Sequence, residues 1–435
     1  MKLINFQLQK TEIPPPHNGP RGRLYSSATT MTSETSIYIH IPFCKHRCAY
    51  CDFNTYAGQE DSIPAYVNAL INEINFIGHR AGQKIIHTVF FGGGTPSLLS
   101  GSQFASIMDA LRAAFTFTAD AEISIEANPG TVSPKKLTAI REAGINRISF
   151  GVQSTNTEEL RMLEREHDFF TVIEAVSTAR KAGFDNLNLD LIYGLPQQTL
   201  PTWQTTLQRI VDLHPEHISA YALTLEHGTP FGKWSSKGLL PLPNPDLAAD
   251  MYEYAEEFLE NNGYVHYEIS NWALNSERLT KDHLPSFACK HNLQYWRSLP
   301  YFAFGAGAHG YANGYRYSNA LRIKTYIDRL ANIESQISNL EFPLSPATVN
   351  QHKQTRKDDI SEYMLNNLRL VDTGIAESDF RLRFGSGLLD VFPKEIEELI
   401  RDGLLEKKTS DGSEVFRLTR RGRLLGNQVF LRFVE

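Results

Sequence analysis

Short apolar runs alternate with longer amphipathic stretches over most of the chain's first two thirds. The runs 37–41 (IYIHI), 85–91 (IIHTVFF), 122–126 (EISIE), 147–152 (RISFGV), 186–192 (NLNLDLI) and 217–223 (HISAYAL) predict strands. Between them, 65–77, 104–115, 134–143, 170–182, 203–213 and 246–261 place apolar residues at helical spacing. The last helix is opened by Asn244-Pro245. Residues 265–269 (VHYEI) read as a closing strand. Six βα units over roughly 230 residues imply a parallel sheet with right-handed crossovers. A full eight-fold barrel takes roughly 250 residues or more, so the pattern predicts a partial (β/α)6 barrel, with a doubly wound open sheet as the rival.

The periodicity breaks after residue 270. The stretch 271–345 is dense in aromatics, His and Gly, and reads as a long loop over the site, centred on His291-Asn292-Leu293-Gln294-Tyr295-Trp296. Amphipathic helices return at 360–370, 377–384 and 394–402. They are followed by strands flanking Ser410-Asp411-Gly412, a hairpin turn signal. The expected fold is therefore α/β with a C-terminal α+β winged-helix-like domain. Its divisions are a flexible lead-in at 1–35, a barrel at 36–270, a connecting region at 271–345 and the C-terminal domain at 346–435.

Composition narrows the class. With 41% hydrophobic and 21% charged residues over 435 positions, the chain supports a sizeable core. A net charge of −6 and mixed charges in the tail argue against nucleic acid as a partner and for a docking or structural role of the winged-helix module. No run of about 18 apolar residues predicts a membrane span. Residues 1–35 contain no apolar signal core, and Met31 offers an alternative start. Four cysteines are too few for a disulfide framework. Three of them crowd one loop, which points to a reducing compartment, the cytoplasm.

Cys44, Cys48 and Cys51 form C-x3-C-x2-C directly after the first predicted strand, and the fourth cysteine is Cys289. Three thiolates on one centre leave a coordination position open, as on an iron–sulfur cubane with one iron free. Zinc with His40 or His46 as fourth ligand is the rival, and three unrelated cysteines the plain alternative. Chemistry in parallel βα folds gathers at the carboxyl ends of strands. Five strands here deliver unusual residues to that mouth: the cysteines, Gly92-Gly93-Gly94-Thr95, Glu126 with Asn128, Gln153, and Asp190. The glycines admit a ligand close to the backbone. Glu126 and Asp190 suit an amino group or ribose hydroxyls, and Gln153 and Arg165 suit ribose and a carboxylate. Singly, each is matched by a plain reading: a turn, a cap, an ion pair. Together they describe a site for a zwitterionic nucleoside beside a cluster.

The cysteine motif, with an aromatic before its third Cys, resembles the radical S-adenosylmethionine superfamily. The segments YIHIPFCKHRCAYCDF, FFGGGTPS, EANPGT, RISFGVQS and DLIYGLPQQT, with the C-terminal module, resemble the oxygen-independent coproporphyrinogen III oxidase family from residue 36 to the end. The resemblance implies a [4Fe-4S] cluster on Cys44, Cys48 and Cys51, with S-adenosylmethionine on the open iron. By motif match, Tyr38, Tyr50, Gly93, Gly94, Thr95, Glu126, Gln153, Arg165 and Asp190 contact that cofactor. Two departures point away from the oxidase itself: Phe53 stands where the oxidase carries a further Cys, and residues 1–35 offer no equivalent of its substrate-covering segment. HNLQYW is similar to the HNxxYW signature of the oxidase-like heme chaperone branch, the HemW proteins.

That branch implies heme and heme-acceptor proteins as partners; a homodimer and peripheral membrane contact through acceptors are left open. It makes His291 the leading heme ligand, with Tyr295 and Trp296 on the macrocycle and His309 as second choice. The alternative for His291 is a hydrogen-bonded core histidine. Cys289 reads as a small buried hydrophobe, a heme thiolate or a fourth cluster ligand. The competing function is radical-based oxidative decarboxylation of coproporphyrinogen III.

Overall fold

The computed structural model describes residues 35–274, 284–331, 340–410 and 412–434. The expected lead-in at 1–34, residues 275–283 and 332–339 of the connecting region, and Asp411 of the hairpin turn lie outside the described residues. Six strands carry the predicted βα rhythm: β1 (Thr35–Ile41), β2 (Ile85–Gly93), β3 (Thr116–Ala127), β4 (Arg147–Gln153), β5 (Leu187–Tyr193) and β6 (His217–Ala222). All pair in parallel, each with the next in sequence. This unreversed order separates a partial barrel from a doubly wound sheet, whose strand order switches direction at its centre.

Side-chain alternation divides each strand between two environments. Ile37, Ile39 and Ile41 join Val89, Phe91, Ile123, Ile125, Ile148 and Phe150 in one core cluster with the helices. The intervening residues face inward and are polar at most levels. Asn188 donates to Ser149 at 2.8 Å, His217 meets Asn188 at 2.6 Å, and Thr88 donates to Ser36 at 2.6 Å. The covering helices start where local chemistry sets them. Ser100 and Gln103 form a capping box on α1 (Gly101–Ala114), and Asp168 caps α2 (Phe169–Lys181).

The expected closing strand is instead half of an edge hairpin. β7 (Tyr264–Glu268) turns back through β8 (Asn271–Leu274), and β8 pairs antiparallel with β6. The connecting region differs more. It supplies β9 (Tyr301–Phe304), parallel to β1, then antiparallel β10 (His309–Ala312) and β11 (Tyr315–Asn319), and β12 (Thr348–Lys353), from the start of the stretch assigned to the C-terminal domain, extends the same sheet. The predicted long loop therefore contains short strands and helices. Buried Glu73 fixes this extension, accepting from Gly305 N at 3.0 Å, Tyr326 at 2.6 Å, Ser345 at 2.7 Å and Asn319 at 2.8 Å.

The C-terminal module has its own hydrophobic cluster, including Met364, Phe380, Leu399 and Phe416. α3 (Arg356–Asn367), α4 (Glu377–Phe384) and α5 (Pro393–Arg401) pack on a sheet ordered β13 (Ile375–Ala376), β15 (Ser413–Leu418), β14 (Leu405–Ser410). This is the winged-helix arrangement the sequence predicts. No helix among the described residues is long and apolar enough to cross a membrane.

Candidate functional site

Pro42 ends β1, and Phe43–Cys44 makes a short parallel bridge with Tyr56–Ala57. The loop between them is held from three sides. Gly94 N donates to Ile41 O at 2.8 Å and Thr95 N to Phe43 O at 2.7 Å, stitching the cysteine loop to the glycine loop after β2. Phe231 N donates to Ala49 O at 3.0 Å. Arg47 spans the loop's end, donating to Cys51 O at 3.3 Å and Phe53 O at 3.5 Å. None of the four cysteines is in a disulfide.

The mouth brings together most of the predicted set. Thr95 Oγ1 donates to Cys44 Sγ at 3.7 Å, and Arg165 Nη1 to Cys48 Sγ at 3.7 Å. Burial pushes the Cys44 thiol up to about 11, partly offset by the Thr95 bond. Gly93 N donates to the Glu126 carboxylate at 3.0 Å. Burial raises that carboxyl to about 7, and Asp190 adds like-charge repulsion. Asp190 accepts from Ser149 at 2.6 Å and Asn188 at 2.8 Å. Gln153 has a φ of 70°, a left-handed conformation that re-aims the chain as it leaves β4. Tyr50 is buried beside Phe231 on the other side of the loop.

The arrangement fits a bound cluster and cofactor. A Cβ on Gly94 would lie 2.5 Å from Phe43 O and 3.0 Å from Cys44 Sγ, so only a hydrogen fits between the two loops. One on Gly93 would lie 2.5 Å from the His40 ring, at a φ of +114°. The cationic fork of Arg165 faces Cys48, and its buried Nε has no hydrogen-bond partner. Thiols, a cation and two carboxylates are the donor set that an iron–sulfur cluster and a zwitterion need.

His40 was a zinc-ligand candidate, and both its nitrogens are committed. Nδ1 lies 2.9 Å from Tyr38 Oη, and Nε2 lies 2.9 Å from Asn54 O. A carbonyl only accepts, so Nε2 carries the proton and Nδ1 accepts from the tyrosine. Burial lowers this imidazole to about 4. His46 pairs with Glu164 at 3.1 Å on the surface. Among the described residues, no three His, Cys, Asp or Glu side chains converge on one metal ion. The Tyr38–His40–Asn54 hydrogen-bond chain is a feature that motif reading missed. The signal was present, since residues two apart on a strand share a face.

His291, the candidate heme ligand, is placed in the core. It lies on α-helix Lys290–Trp296, 0% exposed, with Nδ1 2.7 Å from Thr88 Oγ1 and Nε2 2.9 Å from Tyr295 Oη. Thr88 gives its hydroxyl proton to Ser36, so it accepts from His291. Both ring nitrogens are thus hydrogen-bonded, and burial lowers the imidazole to about 3. The ring stacks on Phe90 with centroids 5.2 Å apart. Thr88 precedes Gly93 on β2, and the His291 ring lies 6.5 Å from that of Tyr38, so His291 sits in the lumen beneath the mouth. Cys289 is beside it, donating to Glu122 at 3.6 Å, with burial pushing its thiol up to about 12. The small-hydrophobe reading of Cys289 agrees with this place; a fourth cluster ligand does not. The second-choice residue, His309, is exposed at the start of β10.

A family model for the radical SAM superfamily matches residues 38–210, and one for the HemN C-terminal domain matches 354–425. Heme chaperone HemW of Bacillus subtilis is 39% identical over 401 residues, spanning 92% of this chain and 99% of that protein. The chain belongs to the HemW family. HemW of Escherichia coli is 35% identical over 405 residues, covering 92% of this chain and 98% of its own. The solved structure of coproporphyrinogen III oxidase HemN from Escherichia coli, titled a radical SAM enzyme, superposes with a TM-score of 0.74 at 26% identity. It covers 92% of this chain and 90% of that one. The partial barrel and C-terminal module of this HemW-family chain are thus those of the HemN fold.

Proposed function

We propose that this chain is a heme chaperone, binding heme and passing it to acceptor proteins in the cytoplasm. The observation that carries the reading is the full-length identity to HemW proteins. Phe53 supports it: the residue where the oxidase has a further cysteine is a partly exposed phenylalanine in this loop. Cys44, Cys48 and Cys51 would hold a [4Fe-4S] cluster, with Glu126, Gln153, Arg165 and Asp190 around S-adenosylmethionine. When bound, such a pair supplies an open iron site and one-electron chemistry at a sulfonium. The chain's own residues supply the rest. Arg165 offsets thiolate charge, Glu126 and Asp190 receive cationic and hydroxyl groups, and the Tyr38–His40–Asn54 chain holds the lining beside Gly93.

The second reading, oxidative decarboxylation of coproporphyrinogen III, is favoured by the likeness to HemN. Both are tested on reconstituted protein. Loading with hemin and mixing with an apo-hemoprotein should move the Soret band to the acceptor. Incubation with coproporphyrinogen III, reductant and S-adenosylmethionine should leave the substrate unchanged. Catalytic formation of protoporphyrinogen would replace the chaperone reading with the oxidase one.

A further inference from the structure

His291 is fully buried, so a surface open to a tetrapyrrole is a separate feature of the fold. The C-terminal module contains a cleft of about 430 Å³ between α3, the start of α5 and the residues before the C-terminus. Its apolar lining is Ile360, Val391, Phe392 and Phe433. Phe392 and Phe433 meet edge to face, with centroids 5.1 Å apart at 81°. Leu431, 62% exposed, and Leu389, 41% exposed, lie next in sequence to lining residues or two positions from them and leave apolar surface in solvent. Apolar side chains left in water beside an open cleft indicate a ligand surface.

Arg356, Lys357 and Arg432 also line the cleft, against a single acid, Glu395. Arg356 is oriented by its bonds to Phe384 O and Ser386, and Arg432 by Glu398 at 3.3 Å. An excess of cations beside an aromatic floor suits a flat apolar body that carries carboxylates. No imidazole, thiol or thioether is among the lining residues, so nothing there suits the axial position of a heme iron.

We propose that this cleft binds one carboxylate-bearing tetrapyrrole through its apolar body and acid groups, without a bond to the metal. This rests on the heme-handling reading and adds a place and a mode to it. A macrocycle held without an axial bond leaves the iron open to an acceptor's own ligand.

The test uses the full-length protein and metal-free protoporphyrin IX, followed by porphyrin fluorescence, with hemin titrated in parallel by its Soret band. Wild type should bind protoporphyrin IX one to one, and the porphyrin dimethyl ester at least ten-fold more weakly. The double variant Lys357→Glu, Arg432→Glu alters two exposed side chains, and should lose at least ten-fold in affinity for the free acid with an unchanged melting temperature. Equal binding by wild type and variant overturns the proposal. So does binding of hemin with none of metal-free porphyrin, which leaves the chaperone reading intact. If porphyrin binding is unchanged but heme delivery to an acceptor fails, the cleft docks an acidic segment of the acceptor instead. Wild type that takes up neither hemin nor porphyrin overturns both readings.

Discussion

The guanidinium of Arg165 joins two strand ends: Nη1 donates to Cys48 Sγ at 3.7 Å while Nη2 donates to Gly151 O at 2.6 Å. The side chain thus carries positive charge from the end of β4 to the cysteine loop. Replacing it with Leu should weaken S-adenosylmethionine binding to reconstituted protein about 10- to 100-fold, the scale of one charged hydrogen bond worth about 1.5–3 kcal/mol. Arg165→Lys should recover part of this through charge alone. Calorimetric titration checks the order; equal affinities for all three proteins would remove Arg165 from the site.

Gly94→Ala should displace the cysteine loop, because the new methyl would meet Phe43 O and Cys44 Sγ, with backbone on one side. Overpacking of this kind costs about 1–3 kcal/mol. The expected result is a lower melting temperature and loss of most of the iron–sulfur chromophore after reconstitution. Full cluster content with unaltered stability would show that the loops have room.

His291→Ala should behave as a core truncation. It opens a cavity beside Phe90 and leaves Thr88 and Tyr295 without their shared partner. A loss of about 2–4 kcal/mol is expected. The cluster spectrum of the protein that folds should be unchanged, since His291 contacts Thr88, Tyr295 and Phe90 rather than the cysteine loop. An unaltered melting temperature together with loss of hemin binding would restore His291 as an iron ligand.

Glu126 predicts a pH dependence in the cluster-free protein. Its carboxyl titrates at about 7 in the fold against an ordinary value of 4.5. Between these values the native state holds a proton that the unfolded chain has released, so stability falls as pH rises from about 4.5 to 7. Because the residue is partly exposed, about 1–2 kcal/mol is expected from it, allowing for screening. Glu126→Gln should flatten that part of a urea-denaturation series. A ligand ammonium should bind more tightly as pH rises through the same window, when the carboxylate forms. A slope identical in Glu126→Gln and wild type would assign the dependence to other groups, such as buried Glu268, also raised to about 7.

Much of the barrel was legible because its strands repeat one physical pattern: apolar residues toward the helices, polar ones toward the lumen. Ile37, Ile39 and Ile41 against Ser36, Tyr38 and His40 show it within one strand. The mouth followed from where the strands end. The region after Ser270 resisted because its first strands are four or five residues long with little alternation, Tyr301–Phe304 (YFAF) being apolar on both faces. One signal was overlooked: Asn313-Gly314, at the turn between β10 and β11, with both residues at positive φ. His291 shows the opposite difficulty. A motif records that a histidine is needed, and only packing reveals that it satisfies Thr88 and Tyr295.

The helix carrying that motif also touches the other module. Arg369 lies over the Trp296 ring at 5.1 Å. Just beyond the helix, Arg383 donates to Ser298 O at 2.9 Å and Asn366 to Ser298 Oγ at 3.0 Å. Arg316 pairs with Glu362 nearby, and Arg423 with Glu256 at 2.7 Å. The barrel floor and the C-terminal module are thus fastened at several points. These contacts couple the stabilities of the two modules, and cutting the chain before Arg356 would leave the HNLQYW helix without its outer support.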